Sequence, residues 1–90
     1  PIYVTESGVA VNDDKRRIAF IDQALDGVRA CIDEGIAVRS YLYWSLLDNF
    51  EWTSGYGHTF GLVAVDRKTF KRTPRPSAYH FGALARANRL

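Results

Sequence analysis

The chain has 90 residues, a formal net charge of +2, 47% apolar residues and 24% charged ones. This is the length of one small domain. The charge is too small and too scattered for a nucleic-acid footprint, no apolar run reaches the ~18 residues of a membrane-spanning helix, and a single cysteine excludes an internal disulfide. A soluble, cytoplasmic protein is the expectation.

Ile2 to Thr5 is a short apolar and β-branched run, which predicts a buried strand. The chain opens inside that pattern without an initiator methionine, so a piece of a longer chain is expected. Ser7-Gly8 breaks the strand. Asn12 and Asp13 are both candidates to cap a helix over residues 14–34, where Ile18, Ile21, Leu25, Val28 and Ile32 recur at steps of three and four. Lys15, Arg16 and Arg17 crowd its start, where the helix dipole disfavours cations and the acids before them offset this, and Gly35 stops it. Cys31 falls in the apolar sector and reads as a small buried hydrophobe.

Residues 36–44 form a second strand, apolar and aromatic at both parities, as expected when both faces are covered. A polar loop follows over 45–59, with Asp48 and Asn49 as loop-shaping hydrogen-bonders. Residues 60–66 and 70–73 suit a hairpin ended by Pro74 and Pro76. Its cations Arg67, Lys68, Lys71, Arg72 and Arg75 read as a solvated surface. Residues 77–88 predict a last helix, with Tyr79, Leu84 and Ala87 toward the core and either Ser77 or Pro76 at its start. Strand, long helix, strand implies a parallel crossover unit. Two parallel strands leave open edges, so the pattern calls for more strands than the chain holds.

Glu6 leaves the first strand on the side of Ile2 and Val4. It is either an exposed acid capping the next turn or an inward carboxylate at a strand exit, where α/β folds place their sites. Trp44 leaves the second strand, and Glu51 and Trp52 repeat the pairing of acid and indole in the loop. An indole can anchor a loop to a core, or offer a flat face to a sugar ring and an N–H to a hydroxyl. Several such groups on one rim favour the sugar. His58 and His80 lack partners at ligand spacing, so no metal or cofactor is expected.

The segments "YVTESG", "YWSLLDNFEW", "FGLVAVD" and "KRTPRPSA" together resemble the C-terminal quarter of a glycoside hydrolase family 1 β-glycosidase, over essentially the whole chain. Ser7 replaces the asparagine of the usual Thr-Glu-Asn-Gly. The resemblance implies an α/β fold, with this segment as strands 7 and 8 of a (β/α)₈ TIM barrel and no separate domain within residues 1–90. It implies retaining hydrolysis of β-glucoside-type bonds, with Glu6 as nucleophile. Trp44 would be the floor of the glycone site, Glu51 the acid holding the 4- and 6-hydroxyls, Trp52 a donor to the 3-hydroxyl, and Phe60 an aromatic wall near the 6-position. A cis peptide at Trp44–Ser45 is implied as well.

The family's acid/base lies in a Thr-x-Asn-Glu-Pro motif that these 90 residues lack. The expected partners are therefore a β-linked sugar and the remainder of the barrel, and the chain alone is expected to be inactive. Retention of Trp52, with no lysine between Glu51 and Phe60, points to unphosphorylated sugars. The competing readings are a non-catalytic carbohydrate-binding relative and a complete small α/β interaction domain.

Overall fold

In the computed structural model, residues 1–89 are described. β1 (Ile2–Val4) and β2 (Val38–Tyr41) are joined by α1 (Asp14–Asp33) and pair in parallel. A 3₁₀ turn (Trp52–Ser54) interrupts the long loop that follows. β3 (Val63–Val65) and β4 (Arg72–Pro74) then form an antiparallel hairpin, and α2 (Pro76–Ala87) closes the chain. The strand–helix–strand unit, the hairpin and the last helix are the elements that the sequence predicts.

Local chemistry explains the boundaries. Asp13, rather than Asn12, caps α1, its Oδ1 accepting the Lys15 N–H at 3.0 Å. Gly35 at φ 90° turns the chain out after the helix. Pro76 occupies the first turn of α2, so Ser77 lies inside the helix, and Asn88 at φ 52° ends it. In the hairpin turn, Asp66 Oδ1 accepts from the N–H groups of Lys68 and Thr69 at 2.8 and 3.0 Å. Pro74 sits on an edge strand, where its missing N–H is tolerated.

The core lies between the helices and one face of the β1–β2 sheet. Ile21, Leu25 and Leu62 are buried, with Tyr41, Tyr43, Ala78, Phe81 and Leu84 packed on them. Tyr41 and Tyr43 each meet the Phe81 ring at about 6 Å in tilted geometry. The two helices are also joined by His80 Nε2 and Asp22 Oδ1 at 2.6 Å.

Several expectations are corrected. β2 is shorter than the predicted run and is covered on one face only: Leu42 is 54% exposed and, across the sheet, so is half of Ile2. Tyr79 and Ala87 are exposed, leaving Leu84 as the member of that trio that packs inward. Cys31 is half-buried. Arg17, expected among the cations of the helix start, is fully buried. Its guanidinium leaves the helix terminus and donates to Asp14 Oδ1, Val11 O and Thr59 O at 2.6, 2.6 and 2.7 Å. Arg75, read as part of a solvated surface, is mostly buried in an ion pair with Asp48.

Candidate active site

The parallel pairing continues beyond the strand ends. Leu42 N donates to Val4 O at 2.9 Å and Trp44 N to Ser7 O at 2.8 Å. Glu6 and Trp44 therefore emerge side by side at the carboxyl end of the sheet. The approach leaves no room at Gly8, where a Cβ would lie 1.9 Å from Trp44 O. Ser7 fits the departure from the usual motif locally, its Oγ meeting the Tyr41 hydroxyl at 3.0 Å.

The Trp44–Ser45 peptide is cis. The chain then runs beside the start of the hairpin: Leu62 N donates to Ser45 O, Val63 N to Leu46 O, and Asp48 N to Val63 O, at 2.8–3.1 Å. Asn49 Nδ2 donates to Ser45 Oγ and Leu47 O, closing the turn. Glu51 N donates to Gly55 O at 2.7 Å and Glu51 O accepts from Ser54 N at 2.8 Å, so a tight loop presents Glu51 and Trp52. Trp52 sits at φ 41°, a region that side-chain-bearing residues seldom adopt and that clusters at functional positions.

Phe60 is held by its neighbours' backbone. Thr59 O accepts from Arg17, Phe60 O from the Tyr43 hydroxyl at 3.0 Å, and Gly61 N donates to Asp48 Oδ1 at 2.9 Å. Burial pushes the Tyr43 phenol up, with Arg17 opposing.

Glu6, Trp44, Glu51, Trp52 and Phe60 line one open cleft of about 400 Å³, together with Asn49 and Phe50. That volume suits a small-molecule site. Trp52 is 83% exposed, which rules out a loop anchor within this chain, and Trp44 is 40% exposed. Phe50 was not singled out by sequence; its signal was its place between Asn49 and Glu51. Among the described residues no cluster of metal-ligating side chains forms.

Carboxylates and exposed aromatic side chains thus gather at the carboxyl end of a parallel sheet, where α/β folds place their sites. The chain matches glycosyl hydrolase family 1 over residues 1–90 and belongs to that family. It is 63% identical to a solved apo β-glucosidase 1317, with a TM-score of 0.96, and covers 100% of this chain and 22% of that one. The family 1 β-glucosidase of Thermotoga maritima aligns with a TM-score of 0.95 at 37% identity, over 98% of this chain and 22% of that one. Among curated relatives, the β-galactosidase of Sulfolobus acidocaldarius is 41% identical over 88 residues, which is 98% of this chain and 18% of the relative. The chain thus spans about a fifth of the length of the relatives it matches. Those structural neighbours are TIM-barrel β-glycosidases, and the present chain has the α/β organisation of a part of one.

Proposed function

We propose that this chain is the C-terminal segment, strands 7 and 8, of a retaining β-glycosidase acting on unphosphorylated β-glucoside-type substrates. The observation that carries the proposal is the convergence of Glu6, Trp44, Glu51, Trp52 and Phe60 on one cleft. Glu6 is the nucleophile: its carboxylate attacks the anomeric carbon, the leaving-group oxygen departs with a proton, and a covalent glycosyl-enzyme forms. Water then attacks the same carbon and frees Glu6. Both steps need a second carboxyl group about 5–5.5 Å away as acid/base, supplied by the remainder of the barrel. Glu51 accepts from sugar hydroxyls, and Trp44 provides the flat floor. Solved complexes of the Thermotoga maritima relative with glucoimidazole and with galacto-hydroximolactam support a sugar-like ligand, and leave glucose and galactose both open.

The test is covalent trapping. The full-length protein is incubated with a 2-fluoro β-glucoside, whose intermediate turns over slowly, then digested and mapped by mass spectrometry. A glycosyl adduct on Glu6 is expected. An adduct on another residue, with Glu6 unmodified, refutes the assignment.

A further inference from the structure

We propose that Asp48 and Arg75, neither of which lines the cleft, form a positioning pair that sets Glu51, Trp52 and Phe60 around it. The inference rests on reading that cleft as a sugar site. Asp48 stands three residues before Glu51, and Arg75 stands at the junction of β4 and α2. Arg75 Nη1 and Nη2 donate to Asp48 Oδ1 and Oδ2 at 2.9 and 2.8 Å, a two-pronged grip that fixes orientation as well as distance. Nη1 also donates to Gly61 O at 2.5 Å, while Asp48 Oδ1 accepts from Gly61 N at 2.9 Å. One carboxylate and one guanidinium thus hold both polar backbone groups of the residue directly after Phe60.

The fit leaves no slack. A Cβ at Gly61 would stand 2.3 Å from Asp48 N and 2.6 Å from Asp48 Oδ1. On the loop side, Arg67 Nη2 donates to Asp48 O, and its guanidinium lies 4.5 Å from the Tyr56 ring centre. Tyr56 in turn meets Phe50 edge-on at 5.4 Å. The pair therefore ties the hairpin and the start of α2 to both ends of the loop that bears the acid and the indole. Its side chains are 12% and 20% exposed, so water does not screen it as it would a surface pair.

A simple staple would add stability and leave sugar affinity untouched. The experiment separates the two in the full-length protein, with active sites counted by fluoroglucoside trapping. Binding of glucoimidazole is measured by calorimetry, and backbone amide exchange is followed over residues 48–61. Arg75→Met is expected to weaken glucoimidazole and to lower kcat/KM per active site by up to about a hundredfold, which a misplacement near 1 Å can cost. Arg75→Lys is expected to recover part of both, and the Glu51 and Gly61 amides to exchange faster in Arg75→Met. Wild-type affinity and exchange in a variant that only melts earlier would overturn the proposal. If Arg75→Met does not fold, Asp48→Asn carries the same measurements. A wild-type protein that binds no glucoimidazole sinks the sugar-site reading instead; amide exchange then decides the pair by itself, and unchanged exchange refutes it.

Discussion

Glu6 stands exposed at the end of β1 beside Trp44, with its carboxylate in the cleft and no hydrogen-bond partner among the described side chains. That setting suits the nucleophile role proposed for it. Glu6→Gln in the full-length protein is expected to lower kcat by several orders of magnitude and leave the unfolding midpoint unchanged; near wild-type rates would refute the role. Glu51 should act differently. If it grips hydroxyls away from the reacting bond, Glu51→Ala raises KM and lowers kcat together, because remote binding energy is used in the transition state. A 6-deoxy glucoside should lose less than the glucoside on this substitution, and equal losses would remove the 6-hydroxyl contact. Glu6, Trp44, Glu51 and Trp52 were legible in sequence because they lie at strand exits and in one short loop, Phe60 only through the family resemblance, and Phe50 not at all. Arg17 and Arg75 were not. A cation reads as solvated until its partner is known, and Thr59 and Asp48 are 42 and 27 residues away in sequence.

The elements were predicted where periodicity is local and missed where coverage decides. α1 has a face repeating over 20 residues and a capping aspartate, so its bounds were readable. β2 looked doubly covered, but its second layer is absent from these residues. Tyr79 looked inward because a period of 3.6 does not say which of two flanking faces meets the sheet. The junctions between elements rest on carboxylates. Burial opposes ionisation of Asp14, but hydrogen bonds from Ser77 and Arg17 prevail and hold its carboxyl below the usual range. Burial likewise opposes Asp48, and Arg75 and Gly61 outweigh it.

Both carboxyls are thus lower in the folded state than in the unfolded one. Their stabilisation is complete above the ordinary aspartate value of about 3.9 and is lost as pH falls through the folded values. Urea unfolding of the full-length protein against pH should therefore show stability dropping below about pH 4, and less steeply in Arg75→Gln, where Asp48 has lost its partner. An unaltered acid slope would show that the pair contributes nothing. Ser77→Ala removes a buried donor whose Oγ lies 2.8 Å from Asp14 Oδ1. It should cost about 1 kcal/mol by the same unfolding measurement, and no loss would mean that Asp14 is satisfied without it.

As a whole the chain is a slab. Its extents are 47 × 28 × 19 Å and its radius of gyration is 14.1 Å, against roughly 12 Å for a compact chain of this length. It exposes 6420 Å², where a folded monomer of its mass exposes roughly 5300 Å². The excess fits the bare sheet face at Ile2 and Leu42, the exposed Leu46 in the loop beyond it, and the two open edges of the β1–β2 pair. Such a surface is what the barrel-segment proposal expects. The most direct measurement expresses residues 1–90 alone, determines size and unfolding, and assays an aryl β-glucoside before and after the upstream segment is added in trans. The expected result is an associating, weakly cooperative chain without turnover, gaining a Glu6-dependent activity only with that segment. A cooperative monomer that hydrolyses the glucoside by itself, above a Glu6→Gln control, would contradict both the barrel-segment reading and the division of the catalytic pair.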